Sequence, residues 1–245
     1  MHKSFALFDF DGTVIPGDSI VRFCFFAYKK DICSRKQLWK AAWAALRYLL
    51  GIITADQSKM ISLAFLIGKS QEELTALSQE FYTVVLQPLL RRQAVEALAK
   101  HRAQGATILL VTASPSFYME PFKEAYGIEA VIGTRMDMSP AGTLTGHICG
   151  ESCKGLQKPL RLAEYLAATG DRLDYENSYA YGDSPSDFPM LALCGHKVAV
   201  NARPKLKRKL GKAEGAQFEH WEDQSGGSKH GGQFFSCRRN SQPGH

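Results

Sequence analysis

Two aspartates, Asp9 and Asp11, stand one residue apart at the end of the apolar run in "FALFDFDGT". Carboxylates held this close repel each other unless a cation or a shared proton lies between them. Alternate residues of a strand point to the same side, so both side chains are expected to face one site. The pair therefore predicts a charged site in which a cation or a shared proton offsets the repulsion.

Other groups able to do chemistry also follow apolar runs or begin a helix. Taken singly, acids and hydroxyls after strands are often helix caps, and most lysines lie at the surface. Four acids with one lysine and two hydroxyls are hard to explain as capping alone, and carboxylate oxygens are the ligands that Mg²⁺ prefers. The set is completed by Thr112 and Ser114 after "ATILLV", by Lys158, and by Asp183 and Asp187 in "YGDSPSD".

The elements that must position these groups alternate between strand and helix. The first apolar run is too short for a helix and is bounded by Gly12 and Pro16. Further strands are predicted in "ATILLVTAS", "SYAYGDS" and "HKVAVN", helices in "LLRRQAVEALAKHRAQG" and "KPLRLAEYLAATG", and a hairpin around Pro140 and Gly142. This alternation predicts an α/β fold with a doubly wound parallel sheet, whose ligand crevice lies at the carboxyl ends of the strands.

Residues 18–87 have a helical pattern almost throughout and contribute no strand, so we interpret them as an insertion. The predicted core therefore comprises residues 1–17 and 88–223. Residues 224–245 are rich in glycine, serine and polar residues, and this composition predicts a disordered tail.

One segment of the insertion, "QLWKAAWAALRYLLGIIT", is apolar over most of its circumference as a helix. Trp39 and Trp43 recur at helical spacing beside the basic residues Lys36, Lys40 and Arg47. We expect a buried helix of a small helical domain; a helix that faces a partner or a membrane surface is the alternative. Its length and charges argue against a membrane span.

Composition narrows the class of protein. With 245 residues and 45% hydrophobic content, the chain can bury a sizeable core. The net charge of +6 arises mainly after Ala202, where nine lysines and arginines face four acids, and no aromatic residues interleave "RPKLKRKLGK". We therefore expect no nucleic-acid partner. The six cysteines form no dense framework and no secretory leader precedes the first strand, which predicts reduced thiols and a cytoplasmic protein.

The motifs resemble those of the haloacid dehalogenase superfamily. "DFDGT" is similar to the first motif of that family, "LLVTAS" to the second, Lys158 to the third and "GDSPSD" to the fourth. The stretch "GTLTGHICGESCKGLQK" is similar to subfamily IB, the branch that includes phosphoserine phosphatase. The resemblance covers about residues 5 to 221 and implies a Rossmann-like core with a helical cap inserted at residues 18–87.

The resemblance implies an Mg²⁺-dependent phosphatase that hydrolyses a phosphomonoester through an aspartyl-phosphate. Asp9 would be the nucleophile, and Asp11 would protonate the leaving oxygen and then activate water. Thr112 and the backbone N–H of Ala113 would bind a phosphoryl oxygen, while Lys158 would neutralise charge. A phosphotransferase with the same intermediate is the alternative.

The resemblance also implies a metal-ligand set and a substrate contact. Mg²⁺ would be held by Asp9, the backbone carbonyl of Asp11 and Asp183, with Asp187 positioning the metal's waters or Lys158. Asp18 stands where phosphoserine phosphatases have a glutamate that binds the substrate amine, and Thr-Ala-Ser, which ends in Ser114, replaces their Ser-Gly-Gly. These departures do not support specificity for phosphoserine, so we expect a phosphomonoesterase that acts on a small phosphorylated metabolite. The apolar insertion helix allows a hydrophobic or lipid-linked phosphate as an alternative, with peripheral membrane contact by the cap.

Overall fold

The structure, a computed structural model, describes residues 2–211 and 213–224 and is built on a parallel sheet. The strands are β1 His2–Lys3, β2 Phe5–Phe8, β3 Thr107–Pro115, β4 Ala130–Thr134, β5 Met136–Met138, β6 Leu144–Ile148, β7 Arg172–Leu173, β8 Tyr179–Gly182, β9 His196–Val200 and β10 Ala216–Glu219. Six of them form one sheet in the order β10-β9-β8-β2-β3-β4, with every neighbouring pair parallel. β1 pairs with β7, and β5 and β6 form the predicted antiparallel hairpin.

Helices alternate with these strands and also fill the insertion. They are α1 Ser19–Lys29, α2 Arg35–Leu49, α3 Ala55–Leu63, α4 Gln71–Phe81, α5 Arg92–Ala103, α6 Glu120–Tyr126, α7 Gln157–Thr169, α8 Phe188–Leu191 and α9 Pro204–Leu210. Short 3₁₀ turns at Ala64–Leu66, Gln87–Leu89 and Ser116–Met119 and a π-turn at Tyr82–Leu86 extend them. Residues 19–89, all of which the structure describes, contain no strand.

Both faces of the six-stranded sheet are covered, which is why the first strand is an unbroken apolar run. All four residues of β2 are buried. Phe5 and Leu7 join the core on the side of α7, α8 and α9, whereas Ala6 and Phe8 join the core on the side of α5 and the insertion. The predicted α/β fold with a doubly wound parallel sheet is confirmed.

The insertion packs on the sheet through a shared aromatic cluster. Phe23 of α1 lies 4.9 Å from Phe81 of α4 and 5.2 Å from Tyr118 of the core, measured between ring centroids. Three of the insertion helices begin at capping boxes, in which the side chain of a serine or threonine accepts a bond from a backbone N–H three residues on, and the Gln or Glu at that position accepts one from the backbone N–H of the capping residue. These caps fix where α2, α3 and α4 begin.

Helix α2 does not have the orientation that we expected from its sequence. The side chains of Trp39 and Trp43 are 77% and 61% exposed, whereas Ala41 and Ala44 are buried. The prediction of a buried helix is therefore wrong for its aromatic face. The alanines are small enough to let α2 approach its neighbours closely, so packing uses that face and leaves the tryptophans in solvent.

The end of the described chain is anchored to the core. Trp221 is buried, and the Arg91 guanidinium pairs with Asp223 at 2.8 Å. Gln224, which the sequence assigned to the tail, donates a 2.6 Å bond to the Leu90 carbonyl. Residues 225–245 of the predicted tail lie outside the described residues. Across the described residues, no helix combines the length and the apolar content needed to cross a membrane.

Candidate active site

The topology places three polar loops at one edge of the sheet. Because β2 lies between β3 and β8, the carboxyl ends of all three strands meet there. Asp9 follows β2, and its backbone N–H donates to the Tyr181 carbonyl of β8 at 3.0 Å. Asp183 follows β8 directly, and Asp187 precedes α8. Asp9 and Asp183, which are 174 positions apart in the sequence, are thereby neighbours in space.

Asp9, Asp183 and Asp187 form an acid triad. Each offers a carboxylate oxygen, and these three atoms lie within 4.8 Å of one another. All three residues are buried. The Lys158 ammonium, itself buried, lies 2.6 Å from Asp9 Oδ1 and 2.6 Å from Asp187 Oδ1. One lysine therefore holds two of the three acids by charge-assisted hydrogen bonds.

Burial and mutual repulsion set the protonation of this triad. Burial raises the pKa of Asp9, and the nearby Asp187 raises it further. The same two causes raise the pKa of Asp183 to about 6. Burial acts the same way on Asp187, but Lys158 and Ser184 outweigh it and hold the pKa of Asp187 below its usual value. Burial opposes the charge of Lys158, yet Asp187 and Asp9 raise its pKa. The raised pKa values of Asp9 and Asp183 show that full ionisation of the triad is costly with Lys158 as its buried cation, and a further cation among the three carboxylates would favour their charged forms.

Asp11 lies apart from the triad and faces the start of the insertion. The Ser19 backbone N–H donates to Asp11 Oδ1 at 2.7 Å, and the Ser19 and Ser114 hydroxyls donate to Oδ2. The Tyr118 hydroxyl lies 3.0 Å from Ser19 Oγ. Burial, followed by the charge of Asp18, raises the pKa of Asp11 to about 7. A carboxyl with such a pKa is suited to donate and accept protons near neutral pH.

Ser19 and Tyr118 were not identified from the sequence. Ser19 directly follows Asp18 and was included in the start of a helix, and Tyr118 is one of many aromatic residues. Both become site residues only because α1 packs against the turn after β3. The nearest sequence signal was the string "GDS", in which a second hydroxyl follows the capping aspartate.

The residues expected to bind substrate lie around this second carboxyl. Thr112 is buried, and its hydroxyl accepts a bond from the Ser114 N–H at 3.1 Å. The Ala113 carbonyl accepts bonds from the Thr134 hydroxyl at 2.6 Å and from the ammonium of Lys59 at 2.5 Å. Asp18 caps α1, where its Oδ1 accepts from two backbone N–H groups. The structure therefore gives each of these residues a structural contact, and their roles toward substrate stay predictions.

A cavity of about 290 Å³ opens beside Asp11. Its core side includes Ser114 and the basic residue Lys154, and its insertion side includes the basic residue Lys59 together with apolar side chains. The apolar lining comprises Ile20, Val21, Ala45, Leu49 and Ala55. This combination accommodates an anionic group together with a small apolar group.

Two arginines that the sequence did not indicate form hydrogen bonds with residues of the site from its periphery. Arg203 Nε donates to Asp183 Oδ2 at 3.1 Å, and the Arg203 side chain is 66% exposed. Arg91 is buried and donates to the backbone carbonyls of Gly12 and Thr13 in the loop after β2. Neither belongs to one of the motifs identified in the sequence, so no local pattern marks them.

The acid triad fits a hard divalent cation. It supplies oxygen ligands only, and two cationic side chains, one of them mostly in solvent, face its three carboxylates. Gly12 provides the space, because a Cβ there would lie 2.5 Å from Asp183 Oδ2. Buried oxygen ligands with excess negative charge match the preferences of Mg²⁺.

Comparison with known proteins then assigns the family. The sequence model of the haloacid dehalogenase-like hydrolases matches residues 6–192. The chain belongs to this family. The chain is therefore an enzyme, a hydrolase of phosphatase type. The resemblance of its motifs to those of the haloacid dehalogenase superfamily is confirmed.

Curated relatives align over most of the chain. A histidinol-phosphatase from Neisseria meningitidis serogroup C is 29% identical over 208 residues, which is 84% of this chain and 94% of the relative. Protein CicA from Caulobacter vibrioides is 31% identical over 201 residues, which is 78% of this chain and 82% of the relative.

Solved structures share the fold. A protein of unknown function from Bordetella pertussis Tohama I is 31% identical with a TM-score of 0.80, and the match covers 89% of this chain and 98% of that one. A phosphoserine phosphatase, solved as an analogue of its phospho-aspartyl intermediate, is 21% identical with a TM-score of 0.61, covering 89% and 93%. At this identity the second match establishes the likeness of fold alone.

Proposed function

We propose that this hydrolase releases inorganic phosphate from a small phosphomonoester through an aspartyl-phosphate on Asp9, with Mg²⁺ as cofactor. The observation that carries the proposal is the buried contact of Lys158 with Asp9 and Asp187, beside Asp183. Transfer of a phosphoryl group places negative charge close to these buried acids. A cationic side chain held between them is positioned to stabilise that charge.

The chain's own groups divide the proposed reaction into two displacements. An Asp9 carboxylate oxygen forms a bond to phosphorus while the bond from phosphorus to the leaving oxygen breaks. Asp11 donates its proton to that oxygen, which leaves as an alcohol. The Asp11 carboxylate then takes a proton from water as the water attacks phosphorus, and Asp9 is released. The pKa of Asp11, raised to about 7, supports both halves of this role.

The remaining residues position the phosphoryl group in this proposal. Thr112 and the Ala113 N–H bind a phosphoryl oxygen, and Lys158 offsets the charge on the phosphoryl group and on Asp9. The acid triad and the Asp11 carbonyl would hold Mg²⁺, which supplies positive charge that stabilises the phosphoryl oxygens. Asp187 keeps Lys158 in place, as its low pKa and its 2.6 Å contact suggest.

We propose that residues 18–87 act as the cap over a core of residues 1–17 and 88–223. The cavity beside Asp11 supports this division, because Lys59 and Leu49 of the insertion and Ser114 of the core line it together. The substrate in this proposal is a small phosphorylated metabolite. The histidinol-phosphatase relative makes L-histidinol phosphate the first compound to test.

We also propose a cytoplasmic location. The cysteines that the structure describes support it, because none is paired in a disulfide; they are Cys24, Cys33, Cys149, Cys153 and Cys194.

The nucleophile is tested by Asp9→Asn. Asparagine keeps the shape of the side chain and removes the attacking oxygen anion, so phosphate release should fall to background with and without Mg²⁺. The wild type should lose activity in EDTA and regain it on addition of Mg²⁺. Normal turnover by Asp9→Asn would overturn the proposal.

Asp11→Asn distinguishes the role of the proton donor from that of the nucleophile. With an alkyl phosphate, whose leaving group needs a proton, the rate should fall by roughly 10²–10⁴-fold. With p-nitrophenyl phosphate, bond cleavage should suffer less, and an acid-stable, hydroxylamine-sensitive label should accumulate on Asp9. Equal loss on both substrates without a trapped label would contradict the assigned roles.

A screen of phosphorylated metabolites for Mg²⁺-dependent phosphate release would identify the substrate. Repeating it with an alcohol acceptor distinguishes hydrolysis from transfer, because a phosphotransferase would move the group to the alcohol faster than to water.

A further inference from the structure

The outward face of α2 is apolar, and it is unusually exposed. Trp39 and Trp43 stand in solvent with Leu46, and the exposed surface continues through Leu50 and Ile52 just past the end of the helix. Single exposed apolar residues are ordinary, but a contiguous patch that contains two tryptophans is typical of an interaction surface. We call these five residues the α2 patch.

Positive charge lies directly beside this patch. Lys36, Lys40 and Arg47 follow helical spacing, and Arg35 adds a fourth basic residue to α2. The helix contains no acidic residue in "RKQLWKAAWAALRYL". A helix with tryptophan and leucine next to lysine and arginine has the composition of helices that lie in the interface of an anionic bilayer.

Packing of the insertion does not require this composition. The face of α2 that packs on its neighbours uses Ala41 and Ala44, which are buried. Replacing the outward tryptophans with polar residues would leave that contact intact, so their presence points to a contact outside the chain.

We propose that the α2 patch is a docking surface for a membrane that contains anionic lipids. Charge complementarity decides between the occupants. A second copy of this chain, docked patch to patch, would bring two sets of like charges together, whereas anionic headgroups attract every charge on the helix. Tryptophan rings also favour the boundary between apolar and aqueous layers.

Docking would bring the bilayer close to the proposed substrate cavity. Leu49, at the end of α2, is 78% exposed and also lines the cavity beside Asp11. Ala45 and Tyr48 of the same helix line it as well. The surface proposed for the membrane and the wall of the cavity are therefore adjacent faces of one helix.

Vesicle binding by the full chain tests the proposal. Vesicles of phosphatidylcholine with phosphatidylglycerol should sediment the protein, and vesicles of phosphatidylcholine alone should bind it more weakly. The chain has three tryptophans, of which Trp221 is buried. Binding should therefore shift the emission of Trp39 and Trp43 to the blue, and brominated lipids should quench it.

Two variants locate the surface. Trp39→Gln with Trp43→Gln should abolish sedimentation, and Lys36→Gln, Lys40→Gln and Arg47→Gln combined should weaken it roughly a hundredfold. The matched control removes three exposed charges elsewhere, from α9, and should bind like the wild type; it combines Lys205→Gln, Lys207→Gln and Arg208→Gln. Circular dichroism and the melting temperature show whether each variant is folded, and the charge variant tests the proposal alone if the tryptophan variant is not.

Three results would overturn the proposal. The wild type would remain in the supernatant with anionic vesicles, or the α9 variant would lose binding while the α2 variants keep it. Alternatively, sedimentation velocity would show a dimer that Trp39→Gln with Trp43→Gln abolishes, and vesicles would bind neither form. A second copy of the chain would then cover the α2 patch.

Discussion

Gly12 is required at its position for two independent reasons. Its φ of +84° lies in the left-handed region that favours glycine, and a Cβ would meet the Asp183 carboxylate at 2.5 Å. The loop after β2 must therefore pass close to β8 with no side chain in the way. The glycine of "DFDGT" thus shapes one wall of the acid triad.

Gly12→Ala should displace Asp183 and weaken metal binding. We expect the rate of phosphate release to fall at least tenfold and the Mg²⁺ concentration for half-maximal rate to rise. Gly17→Ala is the matched control, because Gly17 has a φ of +76° and its nearest atom is an Arg22 nitrogen at 3.4 Å. Both variants should lose roughly 1–2 kcal/mol of unfolding free energy through backbone strain. Equal Mg²⁺ dependence in the two variants would refute the role of Gly12.

The sequence predicted which polar residues face the crevice, because strand ends and motif spacing are local features. It did not predict their partners. Arg203 contacts Asp183, and Tyr118 contacts Ser19, only because of the way separate elements pack. Such contacts leave no periodic signal in the sequence, so geometry alone reveals them.

At the scale of elements, Lys59 joins the insertion to the core. From α3 its ammonium donates to the Ala113 carbonyl at 2.5 Å, to Thr134 Oγ1 at 3.0 Å and to Ser152 Oγ at 2.6 Å. Burial lowers the pKa of Lys59 to about 8. One buried side chain thus contacts the last part of β3, the end of β4 and the segment before α7.

Lys59→Met should loosen the contact between the insertion and the core. We expect the unfolding free energy to fall by roughly 1–3 kcal/mol, because Ser152 loses a buried partner. KM for p-nitrophenyl phosphate should also rise, since Lys59 lines the cavity. Lys69→Met is the control: Lys69 pairs with Glu73 near the surface, and its loss should change stability by less than about 0.5 kcal/mol. Equal effects of the two substitutions on stability and KM would show that Lys59 does not join the insertion to the core.

The orientation of α2 shows a limit of sequence patterns, which predict that a helix forms but not which of its faces packs against the rest of the protein. Helical spacing placed Trp39 and Trp43 on one face, and the structure keeps them there. Both faces of the helix are apolar, so periodicity could not decide which one packs inward. Alanine allows close packing at little entropic cost. Which face of α2 packs inward therefore depends on the neighbouring elements as well as on the sequence of α2.

For the molecule as a whole, His101 makes the free energy of unfolding depend on pH. It is buried between α5 and the sheet, and its Nε2 lies 2.8 Å from the Tyr181 hydroxyl. Burial, together with the charge of Lys100, lowers the pKa of His101 to about 4. Between pH 4 and 6.5 the unfolded chain binds the proton and the folded chain does not, so stability declines as pH falls through this window.

His101→Gln should remove this part of the pH dependence while keeping a hydrogen-bonding group near Tyr181. Urea unfolding at pH 7.5 and 4.5 should show that the wild type loses roughly 2–3 kcal/mol more than the variant over this range. The buried carboxylates titrate in both proteins, so the difference between the two isolates His101. Parallel losses would mean that His101 is protonated in the folded state.

The central position of β2 has a consequence for how the protein is made. The strand is complete after Phe8, but its neighbours β3 and β8 end only at Pro115 and Gly182. On the ribosome, the growing chain therefore carries an apolar strand with an open edge until the residues up to Gly182 have been synthesised. Asp9 cannot meet Asp183 before then, so the proposed nucleophile is made long before the site in which it acts is complete.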